Sequence, residues 1–550
     1  MLKRYFESSL LKLALIGILL YVSVALGSLW LQHARNEPDL GSQQPSVTKQ
    51  AAAEAAVRFV RERFSLSPDY RTSTLFQSHT ERSGYLQKEQ LLDDYLKRFA
   101  DYPIDYFEVE INDPASRTTY YIDVNFTNLH ILGWNAYTSP SAKQQTVASG
   151  SADTRALIEQ TIKEQGYSIG EFTRLEQTPQ DRRSEGVWGA EIIYESIDKK
   201  IGESTLQLQL AVAGGKVVSF HPAFSIPASF AEWQEKQNDN ASFMTRISMG
   251  VSLIMAVAAF IIVIRYRKEI TFRRGLFMTF VFLAIYIGNN FNMVPAFRTM
   301  HSEGPSQWEA MFNLWFLNVF IALMAVSVYF SFLSGRYMWQ RLGWVTWPVW
   351  KDATFGHQMA VATSRGYLLC LFILGIQQSL FFVAGEYFDV WAVNDPSDSV
   401  LNMAAPAFFP LMAWAAAISE EAVYRLFGIA FFMKLTRNRF AAVLLPSMIW
   451  ALSHTQYPIY PVYTRFIEVT IIGIIFGYAF LKYGFLTVML AHAAMDSILM
   501  GLSLLDLGST AITAVGLFYI VLPALIGWAV AWLHRTIGPG RRIVSPELNG

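Results

Sequence analysis

Three polar constellations interrupt the apolar second half of this chain: Ser419-Glu420-Glu421-Ala422-Val423-Tyr424-Arg425, Trp450-Ala-Leu-Ser-His454 and His492-Ala-Ala-Met-Asp496. Carboxylates, imidazoles and a guanidinium are the groups that activate water, move protons and stabilise developing negative charge. Each such charge at the centre of a membrane span costs roughly 2.5–3.5 kcal/mol on insertion scales. Something must offset that cost. At α-helical spacing Glu421 and Arg425 fall about 40° apart on one face, in the favourable order for an ion pair. Glu420 lies about 140° from Arg425 and is the charge left over. His492 and Asp496 share a face at i,i+4, and His454 follows Trp450 by the same interval. At about 1.5 Å per residue, Glu420 is about 21 Å from Lys434, His454 about 22 Å from Arg439 and His492 about 15 Å from Lys482. Those depths allow one shared layer.

The residues leave more than one chemistry open. In one, Glu420 and His454 activate a water for hydrolysis with no cofactor required. In another, Glu420, His454, His492 and Asp496 hold a divalent metal such as zinc that generates hydroxide. The His-Glu-x-x-His pattern of common zinc proteases is absent. An ion-coupled transporter or a non-catalytic sensor or immunity protein could use the same buried groups. Against transport, the membrane halves show no repeat and the polar residues crowd into one half.

These groups must be positioned by membrane helices. The chain has 550 residues, 52% hydrophobic and only 16% charged, a polytopic composition with room for a soluble part. Lys+Arg and Asp+Glu both number 44, so there is no basic field for nucleic acid. A first apolar run covers about 11–30, an anchor or signal peptide. Nine more follow at roughly 243–264, 275–294, 312–334, 366–385, 404–433, 440–457, 466–481, 485–505 and 511–533. Arg265 to Arg274, Arg336 to Arg365, Lys434 to Arg439 and Arg535 to Arg542 fall on one side of this arrangement, while the 385–402 loop carries four acids and no base. The positive-inside pattern therefore predicts cytoplasmic termini and an extracytoplasmic segment 33–242. The fold expectation is an α-helical polytopic membrane protein of about ten spans with an extracytoplasmic α+β domain after the first. Its parts are an anchor at 1–32, the α+β domain at 33–242, accessory helices at 243–365, a core at 366–505 and a last helix and tail at 506–550.

Within 33–242, a helical pattern followed by alternating strand-like runs occurs twice: "DYFEVEI" and "TTYYIDVNF", then "WGAEIIYESI" and "STLQLQLAVAGGKVVSF". The order is loosely similar to PepSY-type modules, and a peptide or protein ligand is the corresponding expectation. Gly166-Tyr-Ser168-Ile-Gly170 fits G-x-S-x-G but follows a helix rather than a strand, so it reads as a helix-terminating loop. Asn289, Asn290, Asn292, Gln377 and Gln378 read as interhelical hydrogen-bonding residues, Gly473 and Gly477 as a close-packing face, and Glu468 as the partner of Arg465. The lone Cys370 excludes an internal disulfide and a cysteine metal cluster.

Glu-Glu-x-x-x-Arg, then aromatic-x-x-x-His, then His-x-x-x-Asp on successive spans resembles the CPBP intramembrane proteases, which include the type II CAAX prenyl endopeptidases and bacterial Abi proteins. The resemblance covers about 366–505. It implies a membrane endopeptidase, commonly labelled a metalloprotease, acting on a membrane-associated protein or peptide, here in a chain of bacterial-looking organisation. It implies that Glu420 and His454 activate water, that His492 and Asp496 support the oxyanion, and that Glu421 and Arg425 orient them. Trp450 stands where Phe is usual, the glycine after Arg425 is delayed, and Asp496 replaces a common Asn. An ionised Asp cannot donate to an oxyanion, so position 496 must be protonated, orient His492 or bind metal.

Overall fold

The computed structural model describes residues 7–35, 45–138, 152–175, 190–298, 307–344 and 347–538. An apolar helix α1 (Ser8–Arg35) leads into a sheet domain. In chain order this domain contains α2 (Lys49–Arg63), β1 (Arg71–Ser78), α3 (Thr80–Lys88), α4 (Leu92–Arg98), β2 (Asp105–Asp113), β3 (Thr118–Val124) and β4 (Ile131–Thr138). Then come α5 (Ala152–Glu164), β5 (Phe172–Arg174), β6 (Ala190–Ile201), β7 (Ser204–Ala213) and β8 (Lys216–Phe224).

The strands form one eight-stranded antiparallel sheet in the order β1-β2-β3-β4-β8-β7-β6-β5. Each half has a leading helix, α2 or α5, and four strands adjacent in chain order; the first half adds α3 and α4 between β1 and β2, and the halves join through β4 and β8. Beyond the runs visible in the sequence there are β1, β4 and β5. The last run divides in two at Gly214-Gly215, where φ values of 57° and 73° make a hairpin turn that other residues adopt poorly. Alternation sets the two faces: Phe107, Val109 and Ile111 of β2 are buried with Ile122, Val124, Ala52, Val60, Ile158 and Ile162 in the core under α2 and α5. Tyr106, Glu108 and Glu110 point to the opposite face. Gly166 ends α5 at φ 82°, with Tyr167 N–H bonded to Ile162 O, so the G-x-S-x-G stretch is a helix terminator.

The membrane part begins with α6 (Ala228–Arg265), a single 38-residue helix about 57 Å long. The expected domain boundary at 242 falls inside it, because its polar first half is still strongly helix-forming. Next come α7 (Leu276–Asn292), the single turn α8 (Val294–Phe297), α9 (Gln307–Arg341) and α10 (Phe355–Phe388), so the expected boundary at 365 also lies within a helix. A short strand β9 (Trp391–Ala392) leads through a loop to α11 (Met412–Glu420), a π-helical segment Glu421–Ile429, and α12 (Ala430–Thr436). The chain continues through α13 (Arg439–Leu452), β10 (Ile459–Tyr460), which pairs with β9, then α14 (Val462–Tyr483), α15 (Phe485–Ser503) and α16 (Thr510–Ile537).

Among the described residues seven helices, α1, α6, α9, α10, α14, α15 and α16, are long and apolar enough to cross a membrane. The other candidates are short or composite: α7, α13 and the α11–π–α12 rod. Two expected spans have different ends. The one expected at 404 starts its α-helix at Met412, after a 3-10 stretch Pro406–Leu411, because Pro406 and Pro410 lack the N–H and crowd the preceding turn. The span expected to reach 457 stops at Leu452, where Ser453, His454 and Thr455 side chains bond carbonyls of the last turn.

The sheet domain is tied to the helices by side chains that mimic a strand edge. Asn402, fully buried in the loop before α11, donates to Phe76 O and accepts from Phe76 N–H, both at 2.7 Å, on the open edge of β1. Arg298, just past α8, pairs with Glu110 and donates to Ser73 Oγ at 2.9 Å.

Candidate active site

The three sequence constellations come together where α11, α13 and α15 meet. The rod that carries Glu420 and Glu421 changes from α to π hydrogen bonding between these two residues. Its wider i→i+5 turn brings residues four apart more nearly into line than an α-helix does. The Trp339 indole donates at 2.8 Å to Leu426 O, so α9 supports the irregular segment from outside.

Both glutamates flank one imidazole. His492 Nδ1 lies 2.8 Å from Glu421 Oε1, and its Nε2 lies 3.8 Å from Glu420 Oε2 and 3.4 Å from Asp496 Oδ2. Glu420, the charge left over from the Glu421–Arg425 pair, lies near His492. His492 sits between the two glutamates and joins them. Glu421 is fully enclosed, whereas the Glu420 and Asp496 side chains keep 23% and 16% of their exposure. Only these two carboxylates are open to a small molecule.

Arg425 is buried, 3.1 Å from Glu421 Oε1, without hydrogen-bond alignment for its Nη atoms. Ring faces supply the rest of its environment: its guanidinium carbon is 4.1 Å from the Trp450 centroid and 5.2 Å from that of Phe476. Trp450 has a second role that the sequence pattern did not reveal, since its indole N–H donates to Glu420 Oε2. The legible signal was Trp450 four residues before His454; the hydrogen bond across to another helix was not.

His454 stands in the turn after α13, not in the helix. Its Nδ1 is 2.8 Å from Trp450 O, and a carbonyl only accepts, so Nδ1 carries the hydrogen and Nε2 keeps its lone pair. Its ring stacks on Tyr457 at 5.9 Å and meets Trp450 edge-on at 5.1 Å. The Glu420 and His492 charges both act on it. A neutral base nitrogen, an open carboxylate and a doubly held imidazole therefore share one layer.

Among the described residues no group of three or more His, Cys, Asp or Glu side chains converges as a set of metal ligands. His492 has its Nδ1 occupied by Glu421, and His454 joins the others through Trp450 rather than through a common point. The donor set Glu420, His454, His492 and Asp496 does not fit a metal in this arrangement.

The other polar residues are structural. Asn290 donates to Asn318, Gln377 donates to Glu468, and Glu468 pairs with Arg465. Gly473 and Gly477 bring α14 against Ser447 and Val443 of α13, where a Cβ would come within 2.8 Å and 2.6 Å of those side chains. Cys370 is a buried free thiol.

Residues 402–498, which contain every residue of this cluster, match the family model described as Type II CAAX prenyl endopeptidase Rce1-like. Over 81 residues the chain is 31% identical to the sporulation-killing factor biosynthesis protein SkfC of Bacillus subtilis (strain 168). That match spans 15% of this chain and 16% of the relative's length. No solved structure matches.

Proposed function

We propose that this chain is an intramembrane endopeptidase that hydrolyses a peptide bond of a membrane-associated protein or peptide. One observation carries the reading: His492 Nε2 lies 3.8 Å from Glu420 and 3.4 Å from Asp496, and Trp450, which bonds Glu420, also packs against His454. A family match confined to the same helices supports it. The sorted loop charges support a sheet domain on the extracytoplasmic side and termini in the cytoplasm, where the domain would receive a peptide or protein.

The reaction is written with the protein's own groups. Glu420, the glutamate that a water can reach, takes the proton of the attacking water, and His454 Nε2 accepts a second hydrogen bond from that water and orients it. The oxygen of the water bonds to the scissile carbonyl carbon. The resulting oxyanion is met by the Nε2–H of a doubly protonated His492, whose Nδ1–H is held from the opposite side by Glu421. The C–N bond then breaks, and the proton held by Glu420 passes to the leaving amine. Asp496 holds His492 in place through charge and donates nothing to the oxyanion. Glu421 is closed to water and serves as the link between Arg425 and His492.

Glu420→Gln tests this directly, because it keeps shape and hydrogen bonding but removes the base. Purified protein should melt like the wild type and cleave a fluorogenic apolar peptide about 10²–10⁴-fold more slowly. A folded Glu420→Gln protein with wild-type turnover would sink the assignment. Asp496→Asn separates two roles. If the charge of Asp496 positions His492, turnover falls about tenfold; an unchanged or higher rate would make position 496 an oxyanion donor instead.

A further inference from the structure

An open cavity of about 830 Å³ lies on the sheet-domain side of the catalytic layer, between α7, α9, α15 and the loop that Asn402 pins to β1. It ends close to the chemistry. Met412 on its wall precedes Glu420 by two helical turns, and Met500 follows Asp496 by one. Tyr457, also on its wall, stacks on His454, and Tyr286 feels the charge of Glu420.

Most of this wall is apolar, and the methionines Met293, Met324, Met412 and Met500 give it an adaptable surface. Such a surface accepts apolar side chains without demanding one shape. Two acceptors break the pattern. Asn289 is 8% exposed; its Nδ2 is on Met293 Sδ, and its Oδ1 is buried with no donor. Asp398 on the rim has neither donor nor cation among the described residues, whereas neighbouring Asp395 is satisfied by Ser397 N–H and Oγ at 2.9 Å and 2.7 Å. Asp398 is exposed to water on this rim. Asn289 calls for a ligand that brings an N–H donor into the cavity, and a wall that carries Asp105, Asp395 and Asp398 without a lysine or arginine favours one with positive charge.

We propose that the cavity is the docking site of the substrate, and that it takes an apolar peptide segment bearing a lysine or arginine whose cation is met by Asp398. This rests on the endopeptidase reading for what happens next, but the docking itself does not. Charge complementarity selects the occupant: an uncharged apolar chain would leave Asp398 and Asn289 Oδ1 desolvated and unpaired. The approach comes from the sheet-domain side, so the segment reaches Glu420 past Tyr286 and Tyr457.

The test uses the full-length Glu420→Gln protein in nanodiscs, which binds without cleaving. Three synthetic leucine- and phenylalanine-rich peptides, identical except for one Lys, Gln or Glu, are titrated against it. The Lys peptide should bind about tenfold more tightly than the Glu peptide, a difference that electrostatic pairing readily supplies. Adding Asp398→Asn should shrink that preference to within about twofold, and Asp398→Lys should reverse it, both with native melting temperatures. An unchanged preference in the Asp398→Lys protein overturns the proposal. So does equal displacement of all three peptides by phosphatidylethanolamine vesicles, which would make the cavity a lipid site. If the preference holds but the Glu420-intact protein cleaves no Lys peptide, docking stands and the endopeptidase reading falls. If all three peptides are cleaved alike whatever residue occupies 398, the docking proposal falls and the endopeptidase reading stands.

Discussion

Two clusters of ionisable groups hold their charge in different ways, one on the polar face of the sheet and one among the membrane helices. In the sheet, Glu108 lies opposite Asp123 across β2 and β3, and His221 of β8 reaches Asp123 at 3.1 Å across β4. Gly133 leaves the space for this, since a Cβ there would lie 2.6 Å from His221 Nδ1. Burial, and then the charge of Asp123, push the Glu108 carboxyl up to about 7. Burial by itself would lower His221, but the hydrogen bond and charge of Asp123 outweigh it, and the imidazole titrates above its usual range. This half-open cluster relieves its repulsion by taking up protons. The membrane cluster depends on fixed opposite charge, because Arg425 does not discharge and Glu421 is closed to water. A titrating cluster tolerates loss of a partner better than a fixed one.

The largest effect should therefore come from Glu421→Gln. It strands the Arg425 guanidinium and takes the negative charge away from His492 Nδ1 at once, leaving only an amide oxygen there, at a cost of about 3–5 kcal/mol. Arg425→Met should cost less, because His492 Nδ1 still faces the remaining Glu421 at 2.8 Å, although the contacts with Trp450 and Phe476 are lost. The double variant should be more stable than the sum of the two predicts. Unfolding of purified protein in detergent measures all three. Equal single losses that simply add would remove the contrast drawn above.

A middle effect belongs to Arg298→Met, which strands Glu110 at the junction of sheet and helices. Burial already raises the Glu110 carboxyl, and Arg298 opposes that rise. Without Arg298 its folded pKa moves further above the unfolded value. The stability this proton uptake contributes is present at low pH and lost as pH rises through the folded pKa. The variant should lose about 1–3 kcal/mol at pH 8 and less at pH 5, with faster hydrogen exchange along β1. A loss independent of pH would mean that packing, not charge, holds this junction.

The same contrast explains what the sequence revealed. Helical clusters are built from i,i+4 pairs, so Glu421–Arg425, His492–Asp496 and Trp450–His454 could be read as local spacings. Their convergence followed from depth alone. The π-helical switch at Glu421 was not visible, because it depends on α9 packing against Leu426 and on Trp339 bonding its carbonyl. Nor was the bond from Trp450 to Glu420, which joins two helices. The sheet cluster left no local trace at all: Glu108, Asp123 and His221 lie on three strands and meet only through cross-strand register. Helix ends set by Pro410 and by the side chains after Leu452 needed knowledge of competing hydrogen bonds that hydropathy does not carry.

The smallest effect isolates that register-built cluster. The folded Glu108 carboxyl titrates at about 7 against an ordinary value of 4.5, so between these pH values the folded chain holds a proton that the unfolded chain has released. Its contribution is fully present below about 4.5 and is lost as pH rises through about 7. Glu108→Gln removes this dependence while keeping the bond to Gln77 possible, a contact now at 3.4 Å. The variant should match the wild type near pH 4.5 and exceed it at pH 8 by on the order of 1–2 kcal/mol, a figure reduced for the water that reaches this half-buried group. His79, which burial, Arg82 and His221 hold well below its usual range, contributes with the opposite sign, but it does so in both proteins. The difference between them therefore reports Glu108. A gap that stays constant from pH 5 to 8 would place the proton elsewhere in the row, on Asp123 or His221. Peptide cleavage should be the same in both proteins at every pH, because the sheet cluster relieves its own charge without calling on the helices.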